Sequence, residues 1–325
     1  MRFGIISTAD IGVESVMPAI AASEHEIGAV ASRDESAARA LADDFGVDAA
    51  YGSYEAMFED DSLDAVYNPL PNGLHGEWTK KAADAGLHVL CEKPFTGTAA
   101  ETREVFDYCE ARGVTVMEAF MYRFHPLTER AAEIVDEELG EVRAVTSAFT
   151  FRMADGAADI RLDPDLDGGS VYDVGTYAVS AARLFLGEPD RVYATTHDGR
   201  DCGVETEMAG VLEYDSGAVA RVQSGFETPL TQYYRVETTD GWLRAEPTFD
   251  VDVEGETSLT YGVGGREVTE RFDPTDHYRL EVEHFADCIE AGETPRIDRE
   301  ESVNQARVLD AVYESGATGD RVDLD

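Results

Sequence analysis

Short apolar runs alternate with stretches of helical periodicity through the first 120 residues. Residues 3–6, 27–31, 65–68, 87–91 and 114–118 have the length and apolar character of buried strands; 11–22, 35–45, 76–85 and 99–112 carry helical spacing. Pro18 is expected to bend the first helix and Asp34 to cap the second. This alternation predicts a doubly wound parallel sheet with right-handed crossovers, a Rossmann-type α/β domain spanning residues 1–120.

The pattern changes after Phe120. A helix over 126–138 is followed by strand-length runs at 142–152, 191–196, 207–214, 218–225, 233–238, 242–245, 258–261 and 267–272. Turn residues such as Asp215-Ser216-Gly217, Asp240-Gly241 and Gly264-Gly265 separate several of them. Helices near 278–291 and 301–315 close the chain. Residues 121–325 are therefore expected to form an α+β domain built on a large open, mostly antiparallel sheet. One face of that sheet should carry helices. A homodimer or homotetramer joined through the other face is the economical way to cover it.

Composition narrows the class. The 325 residues hold 67 acidic and 26 basic side chains, a net charge of −41, yet 43% are hydrophobic, which argues against disorder. An acidic excess of this size fits a halophilic protein, because concentrated salt screens self-repulsion. With no basic stripe, nucleic acid and anionic membrane are disfavoured as partners. The absence of a signal-like leader and of a long apolar stretch points to a cytoplasmic protein. The four cysteines form no CxxC pair and the seven histidines no HxH or HxxxH spacing, so no metal site is expected.

The candidate chemistry lies at strand ends, where ligands bind in such sheets. The chain has three lysines against twenty-three arginines, and one of the three, Lys93, follows the apolar run 87–91 within Glu92-Lys93-Pro94. A lysine there can hold a cationic amine beside a reacting oxygen. The first turn, Gly4 to Gly12, replaces the usual glycine fingerprint with small residues; Ser7, Thr8, Ala9, Asp10 and Ile11 would carry the pyrophosphate at the helix start. The second strand ends in Ser32-Arg33 rather than an acid, which favours the 2′-phosphate of NADP, while a ribose contact by Asp34 would favour NAD. In the loop 68–75, Asn72 and His75 can meet a nicotinamide ribose or substrate; His75 is equally read as a helix-start residue bonded to backbone. In the second half, Gly168-Gly169 precede a helix that Gly187 stops, and Asp173 and Tyr177 share one of its faces.

These segments, with Glu118 to Pro126, resemble the Gfo/Idh/MocA family of dehydrogenases over nearly the whole chain. The resemblance implies a cis bond before Pro94. It also implies that the cofactor lies against Ser7, Thr8, Ala9, Asp10, Ile11, Ser32, Arg33, Leu70, Asn72, His75, Glu92 and Lys93. Lys93, Tyr177 and Asp173 become the catalytic group, with Tyr122 and Arg123 as further substrate contacts. An interdomain salt bridge is as good a role for Arg123, and His125 before Pro126 is structural. Tyr177, where many inositol-type members carry histidine, points to the aldose and dihydrodiol side of the family. The expected reaction is oxidation of an aldose, D-xylose foremost, at C1 with NADP (or NAD) to give the lactone. Oxidation of another polyol or of a trans-dihydrodiol is the alternative, and a non-catalytic regulator that binds NADP and sugar is the reading from another class.

Overall fold

The computed structural model describes residues 1–154, 156 and 159–324. Chain contacts group into two compact units, Met1–Phe120 with Asp276–Val303, and Met121–Thr275 with Asn304–Asp325.

The first unit holds six parallel strands: β1 Arg2–Ile6, β2 Glu26–Ala31, β3 Ala49–Tyr51, β4 Ala65–Asn68, β5 His88–Glu92 and β6 Val116–Ala119. Their order is β3-β2-β1-β4-β5-β6, the doubly wound arrangement. Phe3, Ile5, Val30, Val66, Val89 and Leu90 are all fully buried, which is why these strands appear in the sequence as continuous apolar runs. The pattern gave no sign of β3 or of the following helix Tyr54–Phe58: β3 has three residues, and that helix has five and starts on a Ser53 cap.

The expected bent helix over 11–22 is corrected. Gly12–Val16 form one widened turn, in which the N–H of Met17 reaches Gly12 O, and Met17–Ala21 continue as α-helix. Pro18 has no N–H to give four residues back and its ring would crowd that carbonyl, so the chain widens before it and Pro18 takes a place in the first α turn. Asp34 caps Glu35–Phe45 as expected, accepting the N–H groups of Ser36 and Ala37. The helix His277–Ala291, ended by a left-handed Gly292, brings Phe285 within 6.4 Å of Phe3.

Among the described residues, the second unit is built on nine strands: β7 Val142–Thr150, β8 Arg191–His197, β9 Glu207–Glu213, β10 Val219–Gly225, β11 Thr231–Thr238, β12 Gly241–Ala245, β13 Thr257–Val263, β14 Arg266–Phe272 and β15 Val322–Asp323. Their order is β14-β13-β12-β11-β7-β10-β9-β8-β15, and only the β7–β10 pair is parallel. The helices Pro126–Glu138 and Thr176–Leu186 pack on the sheet. Alternate residues of β8 are buried, whereas Tyr193 between them is 48% exposed, so the sheet has one covered and one open face.

Candidate active site

In the first unit the expected cofactor residues gather at the carboxyl ends of the strands. Beyond β1, Ser7 turns the chain with a positive φ of 83°, a conformation that side-chain-bearing residues seldom adopt, while its N–H extends the ladder to Ala31 O at 2.8 Å. Thr8, Ala9 and Ile11 follow half-buried, with Asp10 exposed. Beyond β2, the hydroxyl oxygen of Ser32 accepts the N–H of Asp34 at 3.2 Å, and Arg33 is exposed. The Asp34 carboxylate caps its own helix, with Oδ1 accepting the N–H groups of Ser36 and Ala37.

Sequence reasoning missed Tyr54. Its phenol interacts with the side chains of both Ser7 and Arg33, linking the two loops, and its ring meets Trp78 edge-on at 4.7 Å. Burial raises its pKa, and the Arg33 guanidinium pulls the other way. Tyr54, Met57 and Phe58 at helical spacing were the available signal, but too short to register as a helix. A hydroxyl-bearing loop and a guanidinium form a donor set that fits an NADP phosphate.

The Glu92-Lys93-Pro94 segment is the best-braced part of this unit. Lys93–Pro94 is cis. Glu92 Oε1 accepts the hydroxyl of Tyr67 from neighbouring β4 at 2.7 Å, and its Oε2 lies 3.3 Å from the backbone N–H of Lys93. Burial pushes the Tyr67 phenol well above its usual pKa, and the Glu92 carboxylate adds to the shift. The N–H of Phe95 donates to the buried Glu118 Oε1 at 2.8 Å. Fully buried Glu281 stands near enough for Glu92 to reinforce the rise in pKa that burial gives it. Lys93 itself is half-buried.

His75 belongs to this bracing, and its expected contact with nicotinamide ribose or substrate is withdrawn. The ring is fully buried, with Nδ1 2.8 Å from Pro94 O and Nε2 2.6 Å from Leu70 O. A neutral imidazole can donate to only one of them, and burial outweighs the pull of the two carbonyls and lowers the pKa to about 4, with Lys93 pushing the same way. Asn68 completes the loop, donating to His75 O and Thr79 Oγ1 at 3.3 Å each. Leu70 is buried and Asn72 half-buried along it.

In the second unit, Asp173 lies in a widened turn, Val171–Gly175, which leads into the helix Thr176–Leu186 that starts one residue before Tyr177. The four-residue spacing therefore does not have regular α-helical geometry. Tyr177 is 5% exposed, with its hydroxyl 3.3 Å from Met121 Sδ and its ring against Tyr122, Phe149 and Phe249. Asp173 is 4.0 Å from the Arg161 guanidinium, which pairs more closely with Asp159 at 2.7 Å.

Tyr122, expected to touch substrate, is instead fully buried with its hydroxyl 2.7 Å from Ser180 Oγ; it is a core residue. Arg123 is half-buried in the turn Met121–Phe124. His125 is structural as expected: it caps Pro126–Glu138 by accepting the N–H of Leu127 at Nδ1, 3.0 Å away.

The doubly wound parallel sheet of the first unit is the architecture of a nucleotide-dependent oxidoreductase. Two family models match: "Oxidoreductase family, NAD-binding Rossmann fold" over residues 1–120 and "GFO/IDH/MocA C-terminal domain" over 128–244. The chain is 69% identical, over the full length of both proteins, to D-xylose 1-dehydrogenase (NADP(+)) 2 of Haloferax volcanii. Among solved structures it resembles a 3-ketoreductase from Actinomadura kijaniata in complex with NADP and TDP-benzene, with a TM-score of 0.92, 32% identity and 97% of each chain covered. An aldose–aldose oxidoreductase from Caulobacter crescentus complexed with glycerol also gives 0.92, at 28% identity, covering 100% of this chain and 99% of that one. The lysine and tyrosine exchanged in two solved variants of the ketoreductase are spaced along that chain as Lys93 and Tyr177 are here. The chain belongs to the GFO/IDH/MocA oxidoreductase family.

Proposed function

We propose that this protein oxidises an aldose, D-xylose foremost, at C1 to the lactone with NADP as oxidant. The observation that carries the reading is the full-length 69% identity to an NADP-dependent D-xylose 1-dehydrogenase. Ser32, Arg33 and Tyr54, around the end of β2, support NADP over NAD.

In this reading Ser7 to Ile11, Ser32 and Arg33 hold the phosphates, and Leu70, Asn72, Glu92 and Lys93 line the path toward the nicotinamide. Held there, NADP would supply the acceptor for the hydride that leaves C1. Tyr177, ionised to the phenolate with the Lys93 cation favouring that form, becomes the neutral phenol as it accepts the proton of the C1 hydroxyl. Lys93 stabilises charge developing on that oxygen, and Asp173 orients the sugar through an adjacent hydroxyl. The shared spacing of lysine and tyrosine in the ketoreductase supports pairing these two residues.

The acidic surface, −41 in net charge, suits a salt-rich cytoplasm. A second copy of the chain covers the open sheet face, where Tyr193, Val211, Arg221 and Tyr233 border a shallow groove of about 360 Å³. Initial rates for a panel of aldoses, polyols and diols with NADP and NAD in molar KCl test the reading. D-xylose with NADP should give the highest kcat/KM; a strong preference for NAD, or for a diol, would overturn it.

A further inference from the structure

The helix that carries Tyr177 opens with a widened turn whose first N–H groups need acceptors. Ser170, the residue placed to cap it, makes no cap hydrogen bond; its hydroxyl faces Ser224 Oγ at 3.0 Å. A remote carboxylate takes that place. Glu205 Oε1 accepts the N–H of Val171 at 2.8 Å and lies 3.1 Å from the Tyr313 hydroxyl, while Glu205 O accepts the N–H of Ser170 at 2.9 Å.

The chain before the turn is shaped around this carboxylate. Gly169 has φ +115°, and a Cβ there would stand 2.4 and 2.6 Å from the two Glu205 oxygens. A Cβ on Gly168 would meet Arg161 O at 2.7 Å. Gly169 therefore makes room for the buried carboxyl group at the helix start, while Gly168 lets the chain pass the Arg161 backbone. Glu205 is 8% exposed.

We propose that Glu205 is a positioning residue: it fastens the turn Val171–Gly175 and so sets Asp173 relative to the phenol of Tyr177. The proposal rests on the assignment of Asp173 and Tyr177 to the reaction. The Tyr177 ring is gripped by Tyr122, Phe149 and Phe249, whereas Asp173 sits on the turn itself. Slippage of the turn therefore displaces the carboxylate more than the phenol. A misplacement of about 1 Å can cost about a hundredfold in rate.

The test uses the full-length enzyme with Glu205→Ala, Glu205→Gln, Tyr313→Phe and Tyr177→Phe. It compares kcat/KM for D-xylose at saturating NADP with NADP affinity from nucleotide fluorescence. Glu205→Ala should lower kcat/KM about tenfold or more while NADP affinity stays within about twofold. Glu205→Gln keeps an acceptor oxygen and should recover to within about threefold of wild type. Tyr313→Phe leaves the Val171 bond in place and should cost no more than about threefold. Wild-type kcat/KM in Glu205→Ala, no recovery in Glu205→Gln, a larger loss in Tyr313→Phe, or parallel loss of sugar turnover and NADP affinity overturns the proposal. Turnover retained in Tyr177→Phe defeats the underlying assignment instead, so the two failures are distinguishable.

Discussion

Tyr67 donates its hydroxyl to Glu92 Oε1 across 2.7 Å, tying the ends of two adjacent parallel strands immediately before Lys93. Loss of one donor to a carboxylate in such a setting costs about 1–3 kcal/mol. Tyr67→Phe should therefore lower the thermal midpoint and reduce kcat by severalfold. The groups proposed to contact the reacting hydroxyl should matter more. Lys93→Ala and Tyr177→Phe are each expected to lower kcat by about a hundredfold or more, the scale of a lost general acid or base, with the fold intact by circular dichroism. Near-wild-type turnover in both would remove the catalytic assignment.

Cofactor choice should follow the loop after β2. Arg33→Ala removes the cation proposed to meet the 2′-phosphate, so KM for NADP should rise about tenfold or more while KM for NAD changes little. Tyr54→Phe should move the same ratio in the same direction by a smaller factor, because it loosens the link between Ser7 and Arg33 without removing either. Equal effects on the two nucleotides would contradict this use of the loop.

Stability should fall with acid in part through His125. Its burial lowers the ring pKa to about 4 from the usual 6.5, and Nδ1 acts as a cap acceptor only when unprotonated. Between those values the unfolded chain binds the proton more readily than the folded one. The contribution to stability is therefore complete above about pH 6.5 and declines as pH falls from there toward 4. His125→Asn supplies an uncharged cap and should flatten this part of the pH dependence relative to wild type, measured as thermal midpoints from pH 7 to 4. An unchanged slope would show that His125 does not contribute to it.

Much of the architecture was legible because each half has a clear period. Buried parallel strands give unbroken apolar runs, and the helices between them keep their spacing; Glu35–Phe45 and Pro126–Glu138 have the expected ends. The misses have physical causes. β3 is too short to carry a pattern, and the widened turns at Gly12–Val16 and Val171–Gly175 depend on the three-dimensional fate of a few backbone groups. Residue type marked Lys93 and Tyr177, but Tyr122 looked like a site residue until its hydroxyl was seen facing Ser180 in the core. Glu205 and Tyr54 could not be found from motifs, since their roles arise from contacts with residues far away in sequence.

Transfer of the C1 hydrogen is the central claim. Incubation with D-xylose carrying deuterium at C1 and NADP, in molar KCl, with mass analysis of both products, measures it directly. The account predicts deuterated NADPH in equal amount to the lactone and a slower rate wherever hydride transfer limits turnover. Unlabelled NADPH, or a ketose product in place of the lactone, would contradict it.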